Sequence, residues 1–143
     1  MSFIRVLVVD DSERWQFYIL KSFKTESDLK IVAQVRDGLE AVQKAAELGP
    51  DIVVMDLSLP SINGLEATHR IRSASPNCKV LFFSEHNSKD LIAAAFEVGA
   101  YGYVLKSDAV FDLVAGIRAI LKNKEYLSRS LRRGGSPFDS DVP

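Results

Sequence analysis

The chain is poor in the residues that mark disulfide-bonded, metal-caged or membrane proteins. It holds one cysteine, Cys78, so neither an internal disulfide nor a cysteine-based zinc cage can form. Its two histidines, His69 and His86, are too few and too separated for a histidine-rich metal site. The uninterrupted apolar runs, such as Ile52–Met55 and residues 80–83, are strand-sized, well short of the ~20 residues that cross a bilayer. The N-terminus has one arginine and then a strand-like run ending in acids, which is not the pattern of a signal peptide. Charge of one sign is also missing. With 18 basic and 19 acidic side chains the net charge is −1, which argues against a broad phosphate-binding face for nucleic acid. These absences lead to the expectation of a cytoplasmic protein with no membrane contact. What remains is 143 residues, 47% of them apolar, enough for one domain with a substantial core.

The dominant pattern is an alternation of short β-branched runs with longer segments of helical period. Residues 3–9 read as a first strand, and their four consecutive apolar residues Val6, Leu7, Val8 and Val9 suit a strand covered on both faces. Asp10 and Asp11 end it, and Asp11 or Ser12 can cap a helix carrying Trp15, Ile19 and Phe23 inward. Residues 31–36 alternate as a strand nearer the sheet edge, and Asp37 to Glu40 form a capping box. The second helix then carries Leu39, Val42, Ala46 and Gly49 inward. Ile52–Met55 is the third strand, ended by Asp56, and its helix carries Leu65, Thr68 and Ile71. Residues 80–83 are the fourth strand, ended by Ser84, with Leu91, Ala94, Ala95 and Val98 inward on the helix that follows. Residues 101–105 are the fifth, ended by Lys106, and the last helix carries Val110, Leu113, Val114, Ile117 and Leu121 inward. Ile92, Phe96 and Phe111 lie off these stripes, as a broader core face or as a partner-binding patch. Repeated β/α units of this kind give an α/β fold, a parallel sheet with helices on both faces. After Lys122, the basic residues Lys124, Arg129, Arg132 and Arg133 lead into Gly134-Gly135-Ser136-Pro137. The expected division is therefore a domain over 3–122 and a linker or flexible tail over 123–143.

In a parallel α/β sheet, ligands bind outside the carboxyl ends of the strands. There the chain collects Asp10 and Asp11, Asp56, Ser84 and Lys106. Each alone has an ordinary explanation as a cap, a turn former or a solvated charge. Their joint position at one sheet edge does not. Like charges ~4 Å apart repel by about 4 kcal/mol at an effective dielectric of 20, so clustered carboxylates hold protons or bind a cation. A hard divalent ion such as Mg²⁺ takes one or two of them plus phosphate oxygens. Another carboxylate is then free to attack phosphorus, with Asp56 on the central strand best placed. Lys106 would neutralise the transferring phosphoryl, and Ser84 would hydrogen-bond one of its oxygens.

These residues in this order resemble the receiver domain of two-component response regulators. The likeness rests on Val8-Val9-Asp10-Asp11, Val54-Met55-Asp56-Leu57-Ser58-Leu59-Pro60 followed by Asn63-Gly64, Phe83-Ser84, and Gly102-Tyr103-Val104-Leu105-Lys106. It implies a flavodoxin-like fold with five parallel strands in the order 2-1-3-4-5. It also implies roles: Asp56 as phosphoacceptor, and Asp10 and Asp11, with Asp56 and the Ser58 backbone carbonyl, as the Mg²⁺ site. Ser84 would be the switch hydroxyl, Tyr103 the switch aromatic that turns into space Ser84 leaves, and Lys106 the phosphoryl contact. The implied donor is a sensor histidine kinase, and the only implied catalysis is self-phosphorylation and self-dephosphorylation. Homodimer formation on phosphorylation is a further implication.

Residues 101–106 and Glu125-Tyr126-Leu127-Ser128 look most like receivers that precede a LuxR-type helix-turn-helix domain. DNA would be reached only through such an effector domain, which this sequence does not contain. The chain is then either a receiver cut from a longer transcription regulator, the preferred reading, or a stand-alone receiver. Glu85 departs from the small residue usual after the switch hydroxyl, and either narrows the site or points to solvent. Ser58 and His86 occupy positions that tune hydrolysis in this family. His69 is read as solvent-facing and Cys78 as structural. A phosphotransferase of the haloacid-dehalogenase type fits poorly, because Ser58 stands where its second aspartate is needed. A nucleotide-binding role lacks a Gly-rich loop after the first strand. A receiver-like interaction module without phosphorylation is the remaining alternative.

Overall fold

A computed structural model describes residues 2–133. Six parallel strands form one sheet: β1 (Ile4–Val9), β2 (Leu29–Val35), β3 (Ile52–Met55), β4 (Lys79–Ser84), β5 (Gly102–Leu105) and β6 (Tyr126–Leu127). Helices α1 (Glu13–Ser22), α2 (Gly38–Leu48), α3 (Gly64–Ala74), α4 (Lys89–Glu97) and α5 (Ala109–Leu121) link them, and a short α6 (Arg129–Arg133) follows β6. The strand order is β2-β1-β3-β4-β5-β6, so the expected 2-1-3-4-5 sheet is present with a sixth strand added beside β5. Among the described residues, no helix is long and apolar enough to cross a membrane.

Strand alternation sorts the core into two layers. Leu7, Val9, Val53, Met55, Val80, Phe82 and Tyr103 face α2, α3 and α4. Val6, Val8, Ile52, Val54, Leu81, Phe83 and Val104 face α1 and α5. Both faces of the central strands are covered, which is why they read as continuous apolar runs.

Three helical stripes differ from expectation. On α2 the buried residues are Gly38, Ala41 and Ala45, whereas Leu39 is 48% exposed and Ala46 also faces solvent. The cause is close packing: a Cβ on Gly38 would sit 2.1 Å from the Ile62 carbonyl oxygen, so this face must be small rather than bulky. On α4, Ile92 is core at 3% exposure, with Ala95 beside it, while Leu91, Ala94 and Val98 are half-buried. On α5, Leu113, Gly116, Ile117 and Ile120 face the sheet, and Val110 is 81% exposed. Phe111 is also exposed. In both helices the inward face is turned by about one residue from the stripe of largest side chains.

The expected tail is also corrected over part of its length. Tyr126 N–H donates to the Tyr101 carbonyl at 3.1 Å and Ser128 N–H to the Tyr103 carbonyl at 3.0 Å, extending the sheet. Leu127 joins the core. Residues 134–143, including the Gly-Gly-Ser-Pro run, lie outside the described residues.

Gly64 opens α3 directly behind the end of β3. Its N–H donates to the Leu57 carbonyl at 2.8 Å, and a Cβ there would lie 2.2 Å from the Asp56 carbonyl oxygen. Backbone cannot yield to that clash as a flexible side chain would. Gly64→Ala is expected to lower unfolding stability by about 1–3 kcal/mol in urea titrations. An unchanged midpoint would show that the β3–α3 connection is not this tight.

Candidate functional site

The carboxyl ends of β1, β3 and β5 meet at one point. Asp10 follows β1, its backbone N–H bonded to the Val35 carbonyl at 3.0 Å. Asp56 follows β3, its N–H bonded to the Val9 carbonyl at 2.9 Å. Lys106 follows β5 in a 3₁₀ turn over Lys106–Asp108. All three side chains are buried, Lys106 to 4% exposure. The Lys106 ammonium lies 2.8 Å from Asp10 Oδ2 and 3.4 Å from Asp56 Oδ2. Asp11 is exposed, yet its carboxylate shares the cluster: oxygens of Asp10, Asp11 and Asp56 all fall within 4.8 Å of one another.

Local bonds fix each carboxylate. Asp10 Oδ1 accepts the Ser12 N–H at 2.9 Å, and the Ser12 hydroxyl caps α1 by accepting from Trp15 N–H at 3.3 Å. Asp56 Oδ1 accepts the Leu57 N–H at 2.8 Å, leaving Oδ2 towards Lys106. Gln16 was not singled out from sequence, but its buried amide donates to the Asp10 and Val35 carbonyls at 2.9 and 2.8 Å and so joins the ends of β1 and β2. Its only sequence signal was a polar residue one place from the inward position Trp15.

Aromatic rings cover the lysine. Its ammonium lies 5.3 Å from the Trp15 ring centre and 5.9 Å from that of Phe83, and these two rings meet edge to face at 5.4 Å. Trp15, expected as core, therefore also walls the site. A cavity of about 260 Å³ opens between Trp15, Glu85, Lys106 and Ser107. Glu85 is exposed and also lines this cavity.

A second constellation lies at the ends of β3, β4 and β5, and His86 joins it. The buried Ser84 hydroxyl accepts the His86 N–H at 3.1 Å. The Tyr103 hydroxyl donates to the His86 carbonyl at 2.7 Å, and its ring is wholly buried, in the inward position. The His86 ring pairs with the Ser58 hydroxyl at 2.8 Å. Burial, together with the negative charge of Asp56, pushes the Tyr103 phenol above its usual range. Outside this region, His69 is exposed. Cys78 is buried, which pushes its thiol up to about 11 and fits a structural role.

The electrostatics follow from the count of charges. Three carboxylates face one ammonium, so the cluster stays net negative. Burial first, and then the Asp10 charge, push the Asp56 carboxyl up to about 6 although Lys106 opposes them. The donor set is all oxygen and hard, which fits a divalent ion of the Mg²⁺ or Ca²⁺ type and not a soft metal.

The family model for the response regulator receiver domain matches residues 6–118. The response regulator protein VraR of Staphylococcus saprophyticus is 33% identical over 121 residues, covering 85% of this chain and 58% of that protein. A protein-glutamate methylesterase/protein-glutamine glutaminase of Carboxydothermus hydrogenoformans is 32% identical over 154 residues, covering all of this chain and 43% of that protein. This chain thus spans about half the length of these two relatives. The crystal structure of a LuxR-family two-component response regulator from Aurantimonas sp. superposes with a TM-score of 0.87 at 36% identity, covering 92% of this chain and 94% of that one.

A raised carboxyl pKa has a definite sign for stability. The folded protein holds the Asp56 proton up to about pH 6, whereas an unfolded aspartate releases it near 3.8. Folding is therefore favoured by protonation at low pH, and that contribution is lost as pH rises through 6. Asp56→Asn removes the charge and is expected to stabilise the metal-free protein by about 2–3 kcal/mol more at pH 7.5 than at pH 3.5. Urea unfolding in a chelator at the two pH values measures this. A gap that is equal at both, or wider in acid, contradicts the raised pKa.

Proposed function

Since this chain belongs to the response regulator receiver family, we propose that it is a signalling switch whose phosphoacceptor is Asp56. The observation that carries the reading is the buried contact of Lys106 with both Asp10 and Asp56 at the sheet edge, beside an open cavity. It supports a site already arranged for phosphoryl transfer. The donor in this reading is a phosphohistidine of a sensor kinase. A carboxylate oxygen of Asp56 attacks phosphorus, a new P–O bond forms, and the N–P bond to the histidine breaks with the electron pair going to the ring nitrogen. Asp10, Asp11, Asp56 and the Ser58 backbone carbonyl would hold Mg²⁺. A bound ion supplies charge neutralisation for the phosphoryl oxygens.

Lys106 has a double part. Before transfer it offsets the two buried carboxylates. During transfer its ammonium turns to the phosphoryl oxygens, where negative charge must be balanced. Ser84 and Tyr103 share His86, so a move of the Ser84 hydroxyl to a phosphoryl oxygen breaks its bond to the His86 N–H and disturbs the Tyr103 bond to the same residue. Because Tyr103 already lies inward, the change we propose is a shift in how firmly that ring is held. The output is control of transcription through an effector domain outside this chain, with DNA contacted there and not by the receiver. A homodimer formed on phosphorylation and a cytoplasmic setting belong to the same reading. So does the absence of catalysis beyond self-phosphorylation and self-dephosphorylation.

The test is intact-mass measurement after incubation with Mg²⁺ and either acetyl phosphate or a phosphorylated sensor kinase. One base-labile phosphoryl group is expected, absent from Asp56→Asn and formed about 10²-fold more slowly in Lys106→Ala. No adduct with any donor would favour a receiver-like interaction module instead. Glu85 at the cavity wall adds a charge that repels anionic small donors. Glu85→Gln is therefore expected to raise the acetyl phosphate rate about three- to fivefold at low salt, less at high salt. An unchanged rate would show that its carboxylate stands clear of the donor's path.

A further inference from the structure

We infer that the C-terminal strap formed by β6 and α6 positions Lys106 and carries its state away from the site, with Ser128 as the principal positioning residue. This rests on reading Asp56 as the phosphoacceptor.

The strap grips the chain on both sides of Lys106. One residue before it, the Leu105 N–H donates to the Ser128 hydroxyl at 3.0 Å. Two residues after it, Asp108 accepts from the Ser130 N–H at 3.1 Å and from the Ser130 hydroxyl at 2.6 Å. The Ser128 N–H reaches back to the Tyr103 carbonyl at 3.0 Å, so one strap residue is tied to the strand carrying both Tyr103 and Lys106. Ser128 is wholly buried, and Asp108 is buried too.

Asp112, one turn along α5, secures the rest. It accepts from the Tyr126 hydroxyl at 2.5 Å, the Arg129 N–H at 2.8 Å and Arg129 Nε at 3.2 Å. Tyr126 itself lies against Gly116 and Gly102, where a Cβ would stand 3.1 Å from its ring and carbonyl oxygen respectively. Apolar burial of Leu127 alone would hold a strap at many registers. Polar bonds to Leu105, Asp108 and Asp112 specify one.

The coupling follows from the position of those bonds. Lys106 is held at 2.8 Å by Asp10 while Asp56 is unmodified. When Asp56 gains a phosphoryl group, the ammonium must exchange that partner for a phosphoryl oxygen. The 3₁₀ turn that carries Lys106 moves with it, and the first bonds loaded are those to Ser128 and Ser130. The strap is the last described segment, ending at Arg133, so a change in it reaches the C-terminal end of the described residues. Conversely, loosening the strap lets the Lys106 turn drift and slows transfer.

Two measurements on the full chain test this. Hydrogen exchange with and without Mg²⁺ and beryllofluoride, a phosphoryl mimic, is expected to change at least about fivefold at the amides of Ser128, Leu131 and Arg132. That change should vanish in Lys106→Ala. Ser128→Ala is expected to slow Asp56 phosphorylation about fivefold, with Ser128→Thr restoring most of the rate. If Ser128→Ala does not fold, Ser130→Ala, which removes the hydroxyl bond to Asp108 and leaves the backbone N–H bond, serves with a smaller slowing of about twofold. Strap exchange identical in both states overturns the relay, and wild-type rates in the Ser128 or Ser130 variants overturn the positioning role. An adduct on Asp56 with an unresponsive strap defeats this inference alone. No adduct on the unaltered chain defeats the phosphoacceptor reading and this inference with it.

Discussion

The structure depends on one buried ammonium placed between two buried carboxylates. Lys106 touches Asp10 at 2.8 Å and Asp56 at 3.4 Å, and each of the three arrives on a different strand. Removing a charge from water is costly, and its attraction to a partner repays that only with good geometry. Here geometry is supplied by backbone. The ends of β1 and β3 are bonded to each other through the Asp56 N–H and to β2 through the Asp10 N–H and the Gln16 amide. Such a site is weak evidence for stability and better evidence for function, since apolar side chains of similar volume would hold the sheet at lower cost.

Most of the remaining construction keeps that triad in place while leaving one side open. Gly64 lets α3 start against the Asp56 carbonyl. Trp15 and Phe83 stand beside the Lys106 ammonium, and the cavity lined by Glu85 opens onto the same lysine. Across the mouth, His86 connects the ends of three strands through Ser84, Ser58 and Tyr103. A fixed charged centre bordered by a replaceable hydrogen-bond network is what a two-state element requires.

Much of this could be read from sequence because the decisive residues punctuate strands. Asp10, Asp56, Ser84 and Lys106 each stand at the end of an apolar run, and a parallel sheet brings such ends to one edge. Other features gave no periodic signal. The strand β6 has only two residues, too short for alternation to register, and the acids that hold β6 and α6, Asp112 and Asp108, look like ordinary acids opening a helix. The inward face of α2 is made of Gly38, Ala41 and Ala45, which a search for large apolar residues passes over in favour of the exposed Leu39. Gln16, His86 and Trp15 act through tertiary contacts, and their types alone did not separate core, solvent and site.

The most direct measurement is a carbon-13 titration of the Asp56 side-chain carboxyl, followed by NMR in metal-free protein and again with saturating Mg²⁺. The metal-free carboxyl is expected to titrate near 6, pushed there by burial and by Asp10, and to ionise at markedly lower pH once the ion is bound. A carboxyl that titrates near 4 and ignores Mg²⁺ would mean that Asp10, Asp56 and Lys106 do not share one buried anionic pocket.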